Sequence, residues 1–409
     1  MKRAFWIVGF AFLAAGSVGL ADRVINGHIH ANYGSIVTWG LWVAAYIYFI
    51  GLSAGAFLVS SLVYVFNLRR FESIGRLALF TALVTLLLAL LSIVFDIGHM
   101  GRAWHVMAYP NFKSPMAWMI WLYAVYFAIL VAEIWWLLRR DFVRGAREPG
   151  WHGHIYRWLT LGSRDDSDAG QARDRRRVRV LATIGVPLAI MFHGGVGALF
   201  ASVAARPHWH SGLFPILFLL SALVSGGALL AVVATIFQHG LKRNRDTVLA
   251  LGQVVLALML LDVLFEISEF LVAFRGGIPG EVAGLKLVIS GPYWWVFWGW
   301  QTVIGTIIPI LLLALPTRRD PRWVSLACLL IAAGLFGLRL NIVIPGLAVE
   351  EIRGLGQAVA SMRVHAHYFP SVTEWLLTAG IVGLGLVVFG LGEMLLPHSD
   401  GEVGHVPVR

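Results

Sequence analysis

Apolar runs long enough to cross a lipid bilayer recur along almost the whole chain, and they constrain its fold more than any other feature. A membrane-spanning helix needs about 20 apolar residues to cross a hydrocarbon core of about 30 Å. Only 13% of the residues are charged, about half the share of a typical soluble domain. We therefore predict an all-α polytopic membrane protein. Its ten predicted spans are 4–21, 37–66, 75–97, 115–138, 179–203, 213–237, 247–273, 292–315, 323–343 and 372–396.

The loops on the two sides of the predicted spans differ strongly in basic residues. One side carries 23 of the 32 lysines and arginines, and the other carries eight. Because arginine-rich loops are translocated poorly, we expect the crowded side and both termini to be cytoplasmic, in a bacterial inner membrane. The net charge of +10 is then explained by membrane topology and by contacts with lipid headgroups, and not by nucleic-acid binding. The first span also resembles a secretory signal, but we expect it to be retained.

A weak internal repeat predicts how the spans are grouped. Ser53-Ala54-Gly55-Ala56 in the second span resembles Ser225-Gly226-Gly227-Ala228 in the sixth, at an offset of 172 residues. Small residues of this kind let helices approach closely. We predict two four-helix bundles, spans 2–5 and 6–9, flanked by spans 1 and 10. The domains are then 1–36 (first span and loop), 37–203 (first bundle, with a flexible basic linker at 139–178), 204–343 (second bundle) and 344–409 (loop, last span and tail).

Cysteine and histidine usage restricts the redox chemistry of the chain. Cys328 is the only cysteine, which excludes an internal disulfide, a cysteine-ligated iron–sulfur cluster and a C-x-x-C-H haem attachment. Haem b needs two facing histidines, whereas only His193 is deeply placed and His99 is at a membrane edge. We also expect no metal at the loop pairs such as His28-x-His30, which lack nearby thiolate or carboxylate ligands. Any electrons that this chain handles must therefore leave through a partner or a diffusible carrier.

Ionisable side chains inside the predicted spans are the candidate functional groups, because placing them there is costly. On a rise of 1.5 Å per residue, nearly all lie in the outer half of the bilayer, and Glu133 lies near the inner side. Asp262, Glu266 and Glu269 share one helical face. The full set is Asp96, His99, Glu133, His193, Asp262, Glu266, Glu269 and Arg339.

This clustering favours a quinone site. A quinone needs an apolar slot, polar groups for its two carbonyls, and groups that exchange protons, for which histidine and buried carboxylates are suited. We predict catalytic roles for His193 and Asp96, and quinone contacts from these two with His99, Arg102 and Trp104. Proton transfer is assigned to Asp262, Glu266, Glu269, Arg339 and Glu133. The alternative is that these groups form buried salt bridges, for example between Arg339 and a carboxylate.

Short motifs along nearly the whole chain add a family resemblance. They are Trp39-Gly40-Leu41-Trp42, Tyr64-Val65-Phe66-Asn67, Asp96-Ile97-Gly98, Ser114-Pro115, His193 with Gly197, Glu269, Arg339, and Tyr368-Phe369-Pro370 with Glu374. In their order and spacing they resemble the NrfD/PsrC family, in particular its ten-helix branch of DsrP-like and HybB-like subunits. His99 departs from the pattern, because other members often have arginine there.

The resemblance implies a quinone-reactive subunit without haem or an iron–sulfur cluster of its own. Such a subunit exchanges electrons between menaquinone or ubiquinone and a periplasmic ferredoxin-type iron–sulfur subunit, at a quinone site near the outer face. We favour a sulfur-metabolism complex of the DsrMKJOP type, and a hydrogenase or other molybdoenzyme complex is the alternative. Two other classes stay open: an ion-coupled secondary transporter, which repeats and intramembrane carboxylates also suit, and a structural anchor for a periplasmic enzyme.

Overall fold

The computed structural model describes residues 2–66, 68–237, 240–352, 354–359, 361 and 363–395. Within these ranges the protein is helical and contains no β-strand. Three features of the sequence fall outside the described residues. They are Asn67 at the end of its motif, Arg353 in the last predicted outer loop, and residues 396–409, which are the last residue of the tenth predicted span and the predicted tail.

Ten helices in the described part of the chain are long and apolar enough to cross a membrane, which confirms the predicted all-α polytopic fold. We number them in chain order. They are α1 (Lys2–Asn26), α2 (Leu41–Tyr64), α3 (Gly75–Asp96), α4 (Pro115–Gly145), α5 (Asp168–Ala201), α6 (Phe214–Ile236), α7 (Leu241–Gly276), α8 (Val296–Ala314), α9 (Pro321–Ala348) and α10 (Val372–Leu395).

The polar stretch 139–178 is largely helical, so the prediction of a flexible linker was wrong. Helix α4 continues to Gly145, a short helix follows at Trp151–Leu159, and α5 already begins at Asp168. The hydroxyl of Ser167 caps α5 by accepting from the amide of Gly170 at 3.0 Å. Arg139 and Asp174 form a nearly buried ion pair at 2.6 Å. A search for apolar runs misses these ends of α4 and α5 because their residues are mostly polar.

The small-residue motifs of the repeat meet at the centre of the protein. A Cβ atom on Gly55 of α2 would lie 2.0 Å from the carbonyl oxygen of Ala222, and one on Gly226 of α6 would lie 2.5 Å from Gly55. Only glycine therefore allows α2 and α6 to cross this closely. Helix α2 also packs on α3, α5 and α9, while α1 pairs with α10, and α10 packs against α3. The division into two bundles stays a prediction.

The loops between the helices gather on two faces. The loops 27–40, 97–114, 202–213, 277–295 and 349–371 form one face, which we call the long-loop face. They touch one another there: Arg206 pairs with Glu351 at 3.2 Å, and the Tyr293 hydroxyl donates to the carbonyl of Tyr368 at 3.0 Å. The other face, which holds residues 139–179, is the arginine-rich face. Exposed apolar side chains such as Leu264 (57%) cover the sides between the two faces, as a lipid-facing surface requires.

Candidate functional site

The three carboxylates of α7 point toward the protein interior on one helical face, as their spacing predicts. Asp262 is 7% exposed, and Glu266 and Glu269 are half-buried. All three line the same cavity as Arg339 of α9. The structure therefore brings together four of the five residues to which the sequence assigned proton transfer, and whether they transfer protons stays a prediction.

This cavity lies among α6, α7, α8 and α9, and the helix Pro279–Ile289 lines it near the long-loop face. Its volume is about 80 Å³. Much of the wall is aromatic or aliphatic. The apolar residues include Phe214, Leu217, Phe218, Phe270, Ala273, Leu285, Phe297 and Leu338.

A chain of side-chain amides holds Glu266 in this cavity. The amide nitrogen Nδ2 of Asn341 donates to Oε1 of Gln301 at 2.7 Å, and Nε2 of Gln301 donates to Oε1 of Glu266 at 2.5 Å. Because a carboxylate accepts and an Asn nitrogen donates, this chain fixes which way the Gln301 amide points. One oxygen of Glu266 is thus held in place by the amide.

Gln301 belongs to an unusual helical segment that the sequence does not reveal. Residues Val296–Ile307 of α8 form a π-helix, and ordinary α-helix resumes at Ile308. Single π-helical turns are frequent at functional sites, and a π-helix of this length is rare. On α9, Gly334 allows close contact with the segment, because a Cβ atom there would lie 2.1 Å from Cα of Gly305. The wider helix thus positions the amide that contacts Glu266.

Arg339 is the cation of the cavity, with an exposed fraction of only 2%. Its Nη2 donates to the hydroxyl of Ser221 at 2.6 Å, and its guanidinium lies over the ring of Phe218. Its Nη1 has no hydrogen-bond partner among the described residues. Asp262 lies near enough to act on Arg339 electrostatically. One buried donor thus remains for a ligand in the cavity.

His193 lies directly behind Arg339 rather than in the cavity wall. Its side chain is fully buried, and a Cβ atom on Gly51 of α2 would lie 3.3 Å from its Cε1 and 3.7 Å from Nη2 of Arg339. Its ring centroid is 6.1 Å from that of Phe218, which does line the cavity. Neither ring nitrogen has a hydrogen-bond partner in the described part of the chain.

Asp96 belongs to a different cluster, at the junction of α1, α3 and α10. It accepts a hydrogen bond from the hydroxyl of Tyr33 at 2.7 Å. The guanidinium of Arg23 lies close by and donates to the carbonyls of Phe95 and Ile97. Burial holds the pKa of Tyr33 well above its ordinary value, so this phenol stays a donor. Asp96 and His193 have different neighbours, and their joint role in one site stays a prediction.

The remaining predicted residues are not in the cavity wall. His99 and Arg102 are exposed, and Trp104 is 56% exposed, all in the loop 97–114 of the long-loop face. Glu133 is fully buried in α4, away from α7. Neither of its carboxyl oxygens has a hydrogen-bond partner among the described residues. Their assigned roles stay predictions.

The cavity wall contains a histidine to which sequence reasoning assigned no role. His208 is half-buried and contacts Gly284, where a Cβ atom would lie 2.8 Å from its ring. Burial lowers the pKa of His208 to about 4. The imidazole is therefore neutral at pH 7 and can both donate and accept a hydrogen bond.

Sequence reasoning missed the uncharged polar groups of the site. Gln301 and Asn341 are amides inside the helices that cross the membrane, and Ser221 is the hydroxyl that binds Arg339. A search confined to ionisable residues passes over them. Including side-chain amides in that search would have found Gln301 and Asn341, since an amide in hydrocarbon also needs a partner.

The fold and the cavity together define a class: a multi-pass membrane protein with a cavity of apolar and ionisable side chains among its helices near one face. The chain belongs to the NrfD family, because the family model described as "Polysulphide reductase, NrfD" matches residues 30–350. It is 36% identical to a subunit of the selenate reductase of Mesobacillus selenatarsenatis, over 97% of this chain and 94% of the relative.

Two further relatives extend the comparison to other complexes. The Hdr-like menaquinol oxidoreductase integral membrane subunit of Archaeoglobus fulgidus is 31% identical over 88% of this chain and 84% of its own length. The protein NrfD of Escherichia coli is 25% identical over 68% of this chain and 84% of its own length. The expected family membership is therefore confirmed.

Proposed function

We propose that this chain is the quinone-reactive membrane subunit of a redox complex and that the quinone headgroup occupies the cavity among α6–α9. The observation that carries the proposal is the combination of apolar walls with the free Nη1 donor of Arg339 and the carboxyl groups of Asp262 and Glu266. The menaquinol oxidoreductase subunit of A. fulgidus, a relative over most of the chain, supports a quinone as the ligand.

The chemistry of the cavity residues fits quinol oxidation. A quinol that becomes a quinone loses two electrons and two protons. Asp262 and Glu266 are positioned to accept protons, and Arg339 stabilises negative charge on the oxygen of the bound ring. Reduction of a quinone requires the same groups in the opposite direction. The electrons pass to or from a redox centre in a partner subunit, because the single cysteine of this chain cannot ligate a cluster.

The long-loop face is the side where this partner would dock. Residues of this face, such as Pro207 and His208, line the cavity, and the loop 97–114 exposes three aromatic side chains there: Trp104 (56%), Tyr109 (74%) and Phe112 (47%). With the arginine-rich face cytoplasmic, this face is periplasmic in a bacterial inner membrane, and both termini are cytoplasmic. The partner is then a periplasmic iron–sulfur subunit of the ferredoxin type. The relatives' names favour a reductase complex, while the sulfur-metabolism complex stays a prediction.

The position of the quinone differs from the site predicted around Asp96, His99, Arg102 and Trp104. In the present proposal His193 acts indirectly, by packing against Arg339 and Phe218. Asp96, tied to Tyr33 and Arg23, holds α1 and α10 against α3. Because the two sites use different residues, one binding experiment distinguishes them.

The test is a fluorescence-quench titration of the purified protein with a quinol analogue. Ala273→Trp fills the cavity, and Leu264→Trp is the matched control on the lipid-facing side of α7. We expect Ala273→Trp to weaken binding at least tenfold, about 1.4 kcal/mol, and Leu264→Trp and Asp96→Asn to change it less than twofold. Loss of binding in Asp96→Asn but not in Ala273→Trp would place the quinone at the Asp96 cluster instead.

A further inference from the structure

The short helix Trp151–Leu159 on the arginine-rich face has two different sides, and we call it the surface helix. One side docks on α4: Gly153 is buried, and the ring of Tyr156 stacks on that of Phe142 with centroids 6.0 Å apart. At 100° per residue, Trp151 and Trp158 lie on the opposite side. They are 61% and 85% exposed. Two tryptophans are thus presented to the surroundings.

The end of the surface helix reaches the lipid-facing surface of the protein. The indole nitrogen of Trp135 donates to the carbonyl of Leu159 at 2.8 Å. Trp135 lies ten residues before the end of α4, which is about 15 Å along the helix axis. Val131, one turn further along α4, is 43% exposed. The half-buried Trp135 side chain therefore connects the end of the surface helix to the apolar belt that contacts lipid.

The turn after the surface helix extends this apolar edge. Leu161 is 76% exposed and adopts a φ of 50°, a left-handed conformation that leucine rarely takes. Two exposed arginines flank it in sequence, Arg157 and Arg164. Neither forms an ion pair with a carboxylate among the described residues. Tryptophan and leucine beside uncompensated arginines are the composition of a segment that lies in a membrane interface.

We propose that the surface helix and the turn after it form a binding site for anionic phospholipid. Trp158 and Leu161 enter the boundary between headgroups and acyl chains, and Arg157 and Arg164 contact the lipid phosphates. Charge complementarity and the continuity with the lipid-facing belt favour lipid over a protein partner on this surface. The proposal depends neither on the quinone site nor on which compartment the arginine-rich face meets.

A depth measurement tests the insertion of this segment. Cys328 is the only cysteine and is buried, so a Cys328→Ala background allows one label to be placed at Leu161→Cys and, separately, at Ala169→Cys. Ala169 is exposed on the same face, in the first turn of α5. In vesicles with brominated acyl chains we expect the Leu161 label to be quenched at least threefold more than the Ala169 label. Equal quenching would overturn the proposal.

A lipid-retention measurement tests the selectivity for anionic headgroups. The full chain is purified from membranes that contain phosphatidylglycerol, and the bound lipid is quantified by mass spectrometry. We expect Arg157→Gln/Arg164→Gln to lower retained phosphatidylglycerol at least twofold. The matched control, Arg318→Gln/Arg319→Gln, removes two charges from the same face and should leave it unchanged.

Two further results would overturn the proposal. If both double variants lost the same amount of retained phosphatidylglycerol, the arginine-rich face would attract anionic lipid only through its overall charge. Protection of the Leu161 label by another subunit of the complex, without quenching by brominated lipid, would assign the surface to a protein partner.

Discussion

The guanidinium carbon of Arg339 lies 4.6 Å from the ring centroid of Phe218, so that a cation of α9 rests on an aromatic face of α6. This contact orients the guanidinium, and the hydroxyl of Ser221 accepts a hydrogen bond from Nη2 only. The ring of Phe218 also separates the cavity from His193. A histidine and an arginine that the sequence places in different spans therefore lie against the same aromatic ring.

The planar guanidinium group of Arg339 should be necessary for ligand affinity. Arg339→Lys keeps the positive charge but loses the planar group and its stacking on Phe218. We expect this variant to bind a quinol analogue at least tenfold more weakly, about 1.4 kcal/mol, in the same quench titration. An affinity within twofold of wild type would show that Arg339 does not contact the ligand.

The charges of Arg339 and Asp262 should be coupled in the folded protein. Arg339→Met leaves the buried carboxyl group of Asp262 without the nearby cation that acts on it electrostatically, and the melting temperature should fall. Adding Asp262→Asn removes the uncompensated charge and should recover part of the melting temperature. The measurement is thermal unfolding of the four proteins of the double-mutant cycle. Additive effects of the two substitutions would contradict the coupling.

The amide of Gln301 should be required for turnover. Gln301→Leu keeps a similar volume but leaves Glu266 and Asn341 without their hydrogen bonds, which costs about 1–3 kcal/mol for each unsatisfied buried group. We expect quinol oxidation by the assembled complex to fall at least tenfold. Val303→Ala is the control, since Val303 lies in the same π-helix and is 43% exposed. Equal rates of quinol oxidation in the two variants would show that the reaction does not require the hydrogen bonds of Gln301.

The crossing of α2 and α6 should not tolerate a side chain. Gly55→Ala places a methyl group 2.0 Å from the carbonyl oxygen of Ala222, and overpacking of this kind costs about 1–3 kcal/mol. We expect a lower melting temperature in detergent. Gly276→Ala is the control, because its Cβ atom would meet nothing within 4 Å. Similar melting temperatures for the two variants would mean that the helices separate at little cost.

Protonation of His208 should destabilise the protein below neutral pH. Its pKa is lowered from 6.5 to about 4 by burial, so between these values the unfolded chain binds more protons than the folded chain. The stability contributed by this group is therefore complete above about pH 6.5 and is lost as the pH falls toward 4. Between pH 7 and pH 5, the melting temperature of His208→Gln should fall less than that of the wild type. The exposed His105→Gln should behave like wild type.

The sequence by itself determined the ten helices, because hydrocarbon admits only long apolar segments whose backbone is fully hydrogen-bonded. It also determined that Asp262, Glu266 and Glu269 share one face, since helix periodicity depends only on spacing. The small residues Gly55 and Gly226 were recognised as packing sites, although their direct contact was not foreseen.

Only the tertiary structure decided which intramembrane groups lie together. Arg339 lines the same cavity as the α7 carboxylates, whereas Asp96 accepts a hydrogen bond from Tyr33. The contacts of a side chain depend on which helix packs against its face and at which position along the helix axis. Apolar periodicity does not encode that choice. The π-helix around Gln301 and the helical continuation of α4 and α5 into the polar stretch were decided at the same level. They depend on contacts between residues that are distant in the sequence, such as the ion pair of Arg139 with Asp174 and the close approach of Gly334 to Gly305.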